Sequence, residues 1–295
     1  MKPSPHSGPE VPPSRAHRLR GGLARLGRDR TLAAALLVIA GLLLLALFAP
    51  WLSPYDPAEA AAPKPNLPIG TPGFLLGSDN QGRDMLSRIL YGARISLLVA
   101  LVPTAVATAI SVLLGLITGL VGGLLDAVVS SILDVFFAFP IVLLAIAIAG
   151  VLEPGVMTVI LSITVVLIPY VTRVARSATQ QVRGLLYVEA ARASGGSFAA
   201  IALRYVLPNM INPVLVYATT LVGLMIVVGA GLSFLGLGAQ PPAADWGAMV
   251  SEGSGVLRRA PQVSLLPGVM IALTALAFNL LGDQLRNRFD PRGTR

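Results

Sequence analysis

The sequence predicts an all-α polytopic integral membrane protein with six transmembrane helices and a helix–turn–helix outside the bilayer. Three observations carry this reading. Of 295 residues, 55% are hydrophobic and only 12% are charged, about half the roughly 25% charge of an ordinary soluble domain. Six apolar stretches recur along the chain, and each is long enough to cross about 30 Å of hydrocarbon at 1.5 Å per residue. The 22 Lys and Arg residues are also distributed unevenly between the two sides that six spans define.

The spans follow in order. Residues 32–49 carry no charge and lack a small-x-small cleavage pattern, so they read as an uncleaved anchor with Trp51 at the far interface. The prolines between Pro50 and Pro72 break the next segment into a long polar excursion. Within it, residues 78–91 read as an interfacial helix capped by Ser78 or Asp79, with Met85, Leu86, Ile89 and Leu90 on one face. Arg83, Asp84 and Arg88 on that helix suit local salt bridges, lipid headgroups or, more weakly, a substrate-delivery protein. Spans two to four cover 95–121, 127–150 and 156–172. A fifth covers 211–232, a second polar excursion 233–262, and a sixth span 264–282.

Seven basic residues fall in the first 30 residues, five in the 173–209 loop and four in the C-terminal tail, against six on the opposite side. The positive-inside bias therefore places both termini and the loop in the cytoplasm. It also accounts for the net charge of +8, and nucleic-acid binding needs no credit. The chain has no Cys, and its two His are His6 and His17 in the N-terminal tail. A thiol nucleophile, Ser-His hydrolysis and His-ligated metal chemistry within the spans are thereby excluded. No G-x-x-x-x-G-K-[ST] loop is present, so this chain does not itself cradle ATP.

The 173–209 loop is long for a transport protein. Helical composition around Tyr187–Ala193 meets a break at Gly195-Gly196, where a positive φ or a close approach calls for glycine. Ser197 then caps a second helix that Pro208 is expected to end. An interfacial helix pair without a partner is the plainer alternative.

These residues resemble a known family. Glu189-Ala190-Ala191, then Gly195, then Val206-Leu207-Pro208-Asn209 resemble the EAA loop of the membrane subunits of bacterial ABC importers. The similarity extends through Gly77–Arg88, Tyr91–Leu97, Leu232–Gly238, Asp245–Gly247 and Phe278–Asp283, which look like the dipeptide, oligopeptide and nickel branch. The long first excursion and extra N-terminal span resemble its C-type permease subunit. The resemblance implies five domains of organisation: a cytoplasmic basic tail at 1–30, an anchor at 31–50, an extracytoplasmic excursion at 51–92, the ABC transmembrane domain at 93–285 with its EAA loop at 187–209, and a cytoplasmic tail at 286–295. It also implies a non-catalytic permease in the cytoplasmic membrane that forms half of a pathway for peptides, with nickel or another small solute as the alternative. Its implied partners are a second permease subunit, two cytoplasmic ATP-binding subunits and an extracytoplasmic solute-binding protein. ATP and Mg belong to the ATPase subunits, and this chain carries no cofactor. Tyr205 stands where the family commonly has His.

By that resemblance Glu189, Ala190, Ala191, Gly195, Leu207 and Pro208 form the ATPase-coupling surface. Otherwise Glu189 is a solvated charge that pairs with Arg192. Asp134, two turns into span three, is costly in lipid. It should face the bundle or a water-filled cavity, paired with Arg173 or Arg176, or act in gating. Pro103, Pro140, Pro169, Pro213 and Pro267 read mainly as tolerated kinks. Gly229, Gly231, Gly236 and Gly238 read as a packing surface, a subunit interface or an outer gate. An ion-coupled secondary transporter is the rival of a different class, but Asp134 is the one intramembrane carboxylate available to it. Reporter fusions test the topology: a cytoplasmic signal is expected at Ala193 and the C-terminus and an external one at Lys64, and a cytoplasmic signal at Lys64 would overturn it.

Overall fold

The structure, a computed structural model, describes residues 30–289. The basic tail expected at 1–30 lies outside the described residues apart from Arg30, as do residues 290–295 of the expected C-terminal tail.

The first helix, α1, covers Arg30–Leu52. It packs against α2 (Met85–Val121) and the last helix, α9 (Gln262–Phe289), and turns a row of leucines outward. The next elements are α3 (Gly123–Phe137), α4 (Ile141–Val151) and α5 (Val156–Arg183). A short α6 (Leu186–Ala193) leads to α7 (Phe198–Phe234), and α8 (Trp246–Ser254) precedes α9. Five helices, α1, α2, α5, α7 and α9, are long and apolar enough to cross a membrane; α3 and α4 meet that test only together, as a broken span or a re-entrant loop.

Four expectations are corrected. No separate interfacial helix begins at Ser78. Residues 78–84 form an extended turn in which Ser78 bridges Asp84, and the Asp79 carboxylate accepts from the backbone N–H groups of Gln81 and Arg83 at 2.8 Å each. Asp84 then caps α2 by accepting from Ser87 N–H at 2.8 Å, and the helix runs unbroken into the membrane. The third span is not one helix. Pro140 disfavours the helical conformation in the residue before it, and the two halves meet at 89°. Here proline makes a break, whereas Pro103, Pro169, Pro213 and Pro267 lie inside continuous helices.

The fourth span continues as helix to Arg183, and the sixth to Phe289. Lastly, Pro208 does not end the second loop helix. A π-helical stretch at Ile201–Val206 passes into α7, with Leu207 N–H bonding the Ala202 carbonyl five residues back. The wider turn changes the hydrogen-bond register where the proline lacks a donor. The loop is therefore a single short helix and a turn, and its second arm is the start of span five.

The centre of the bundle is α2 against α5, with α7 packed on both. Gly115 and Gly119, four residues apart, bring the α2 backbone against α5. A Cβ at these positions would lie 2.5 Å from the Ala175 Cβ and 2.6 Å from the Thr179 Cβ. Lipid offers no hydrophobic drive between helices, so small residues that permit close backbone approach supply the contact. Gly119→Leu is expected to force α2 from α5, cost about 1–3 kcal/mol through overpacking and lower the Tm of the detergent-purified protein. Gly150→Leu, at a position open to its surroundings, should leave the Tm unchanged.

Candidate functional site

The sequence-predicted site residues fall into two groups in space. The first is the turn outside the bundle. Helix α6 is anchored by Val188, which is fully buried, while Glu189 and Ala190 are exposed and Ala191 is half-buried. Leu186, 84% exposed, and Tyr187 and Phe198, about half exposed, turn apolar surface outward beside them. The helix ends in a Schellman turn. Gly195 N–H bonds the Arg192 carbonyl at 3.1 Å and Gly196 N–H bonds the Ala191 carbonyl at 3.0 Å. Gly195 takes φ +79° with open space around it, so its requirement is conformational; Gly196 instead lies where a Cβ would approach the Ala191 carbonyl to 2.8 Å. Ser197 caps the next helix by accepting from Ala200 N–H at 3.3 Å. Glu189 sits in the first turn of α6, where the helix dipole favours a carboxylate, and makes no ion pair with Arg192 among the described residues. Leu207 is half-buried and Pro208 exposed at the start of α7 proper.

The second group tethers α3 to α5. Arg173 donates to Asp134 at 2.7 Å, and its guanidinium lies 3.6 Å from the centre of the Phe137 ring, close enough for a cation–π contact. Phe137 in turn meets Tyr170 edge to face at 4.7 Å. Arg176 pairs instead with Asp126, a residue that sequence reasoning passed over, donating through both Nε and Nη2, the latter at 2.6 Å. Asp134 and Arg173 are 66% and 55% exposed, so they lie on the open side of the elbow and not within a sealed bundle. Apart from these pairs α3 has little hold: Leu133 is its one buried residue.

A third constellation bears out the local salt bridges expected of Arg83 and Arg88, though not of Asp84, and adds Glu252, which was missed from sequence. On the opposite end of the bundle Arg83 donates to Asp79 and to Glu252, each at 2.6 Å. Arg88 reaches Asp79 at 2.8 Å and Glu252 at 3.0 Å. Asp79, Arg83 and Arg88 are at most 2% exposed and Glu252 is 18% exposed. These arginines therefore do not meet lipid headgroups. Burial pushes the Glu252 carboxyl up from the ordinary range, and the Arg83 charge pulls it back only in part. Around this clamp the buried Trp246 donates to the Ile89 carbonyl at 3.0 Å, and Ser96 donates to Asp245 at 3.0 Å. Gln262 reaches the Leu67 carbonyl at 3.1 Å. The available signal was the crowding of Asp79, Arg83 and Arg88 in ten residues of a charge-poor chain; Glu252, far off in sequence, gave none. The glycine run divides: Gly229 packs where a Cβ would lie 2.6 Å from Val99, and Gly231 faces open space.

Long apolar helices around a small-residue core, with a short exposed helix beyond them, define a multi-pass membrane protein. The family of binding-protein-dependent transport system inner membrane components matches residues 111–295, and the N-terminal TM domain of oligopeptide transport permease C matches residues 19–68. The chain belongs to this family of transport-system inner membrane components, and it is a permease subunit of an ABC importer. The glutathione transport system permease protein GsiD of Shigella flexneri serotype 5b (strain 8401) is 43% identical over 269 residues, 91% of this chain and 88% of the relative. GsiD of Escherichia coli (strain UTI89 / UPEC) matches to the same extent. In fold, the chain is similar to the inward-facing MetNI methionine ABC transporter, with TM-score 0.58 and 19% identity over 70% of this chain and 98% of that one. A crystal structure of an amino acid ABC transporter gives TM-score 0.51 and 21% identity over 68% and 94%.

The clamp of Asp79, Arg83, Arg88 and Glu252 yields a stability prediction. Glu252→Ala leaves two buried guanidinium groups sharing Asp79. Removing one partner of a buried ion pair costs about 3–5 kcal/mol, so the purified protein should melt at lower temperature. Glu189→Ala, on the exposed turn, should melt as the unaltered protein does.

Proposed function

We propose that this chain is the peptide-pathway permease subunit of its importer and that the α6 turn is where ATP hydrolysis on other chains becomes movement. The observation that carries this reading is the α6 turn itself: a helix held by one buried valine, capped at its end by a Schellman turn, and presenting Glu189, Ala190 and Leu186 to the outside. Such an element offers a shaped, largely unpartnered surface joined to span five by the Gly195-Gly196 turn alone. Two cytoplasmic ATP-binding subunits would receive it, and these hold the ATP and Mg. Gly195 supplies the turn, and Leu207 and Pro208 start the helix that the turn moves.

Peptides are favoured as cargo because the curated relatives are glutathione transport permeases and the N-terminal match is to an oligopeptide permease domain. One chain supplies half of a pathway, so a second permease subunit is expected beside the lightly held α3–α4 elbow. The outer excursions, fixed by the Glu252 clamp, are the surface on which a solute-binding protein would dock. Both termini lie in the cytoplasm, in keeping with the basic-residue bias. The Asp134–Arg173 pair is assigned to holding the elbow, and a gating role would follow if the pair opened during transport.

Glu189→Lys tests the coupling reading. In the reconstituted importer with its binding protein, peptide uptake is expected to fall at least tenfold while assembly in the membrane is retained. Normal uptake at normal expression would remove Glu189 from the contact. For the elbow, exchange of the charges in the Asp134→Arg, Arg173→Asp double variant should restore much of the uptake lost by either single variant.

A further inference from the structure

A cavity of about 640 Å³ opens between α5, α7 and α9 near the cytoplasmic ends of these helices. Its volume lies within the range of small-molecule sites, about 300–1,000 Å³. Val174 and Val216 give it apolar walls. Asn209, Asn212, Tyr217 and Thr220 line it from α7, and Asp283 and Arg286 from α9. The four α7 residues recur at helical spacing along one face, and their amide and hydroxyl groups can both donate and accept. Asn209 uses its amide N–H to bond the Tyr205 carbonyl at 2.6 Å, which leaves its carbonyl oxygen as an acceptor.

Asp283 and Arg286 stand three residues apart on the same helix, about 4.5 Å along its axis. Both are exposed, and neither forms an ion pair with another described residue. One cavity thus presents an anion, a cation and a row of neutral hydrogen-bonding groups. A free peptide is complementary in each respect. Its ammonium suits Asp283, its carboxylate suits Arg286, and its amides suit the asparagines. A dipeptide spans up to about 7 Å, a length the two side chains can bracket. The donor set does not suit nickel, since it offers a single carboxylate and neither imidazole nor thiolate.

We propose that this cavity is a cytoplasmic-side subsite for the transported peptide, with Asp283 and Arg286 receiving its two charged termini. This rests on the peptide-permease reading above. The subsite would hold cargo after it has left the binding protein and before release. It reads the backbone and termini and leaves side chains to the apolar walls, which suits a carrier of varied short peptides.

The absence of Cys from the chain allows a direct test. Asn212→Cys is placed in the complete importer, without nucleotide or binding protein, in phosphatidylcholine nanodiscs. Maleimide labelling of this chain is then followed with alanyl-alanine or S-methylglutathione present. At least threefold slower labelling is expected with one of these peptides, no slowing with N-acetyl-alanyl-alanine amide, and loss of the protection in the Asp283→Asn, Arg286→Gln background. No protection by either free peptide, or equal protection by the capped one, overturns the subsite. Phosphatidylethanolamine carries a similar pair of charges; if adding it to the nanodiscs protects Asn212→Cys and peptide does not, the cavity is a lipid site and the proposal fails. ATP-driven uptake of the same two peptides by the complex is measured in parallel. Uptake without protection overturns the subsite alone, and failure to take up either peptide overturns the reading on which it rests.

Discussion

Arg83 and Arg88 are sealed from solvent, and a buried guanidinium must be met by negative charge and hydrogen-bond acceptors. The carboxylates that meet them, Asp79 and Glu252, come from two excursions that are remote in sequence. This requirement organises one end of the molecule. The turn at 78–84 holds Asp79, and Asp84 starts α2 at a fixed place. Helix α8 brings Glu252 over it, and Trp246 closes the space between α8 and the first turns of α2. At this end the paired charges lie beside a small apolar core that includes Leu67, Phe74, Trp246 and Met249.

The other half is held differently. Between α2 and α5 the contact is backbone close to backbone, made possible by Gly115 and Gly119 against Ala175 and Thr179. Helix α3 departs from this pattern. It has scarcely any buried side chain and is attached to α5 by Asp126–Arg176 and Asp134–Arg173. Packing over a long seam resists separation along its whole length, whereas two ion pairs can break and re-form locally. The bundle therefore combines a rigid seam with an elbow secured at two points.

Fold class and five of the six spans were legible because charge is so scarce that each apolar stretch stands out. The turn at Gly195-Gly196 and the cap at Ser197 were legible because their chemistry is local. The span interruption at Pro140 was not, since the same residue type is absorbed by helices at Pro103, Pro169, Pro213 and Pro267; which outcome follows depends on packing around the proline. The continuity through Pro208 was hidden for a related reason: a π-helical register is decided by hydrogen bonds, and no residue type announces it. Asp126 and Glu252 were passed over because a partner in space leaves no mark at a given spacing in sequence. Asp283 was read as the end of a family motif and Arg286 as the start of the tail, and only the folded chain sets them beside the polar face of α7.

The unbroken course of α7 has a mechanical meaning. Beyond its π-helical opening, α7 runs as α-helix from Leu207 to Phe234, about 42 Å at 1.5 Å per residue. One end grows from the Gly195-Gly196 turn, and the other lies under α8, where a Cβ on Gly247 would come within 2.3 Å of the Ala230 carbonyl. No loop between the two ends can take up slack. Under the coupling proposed above, a tilt imposed at the turn would reach the far end of the same helix with no intervening loop to absorb it.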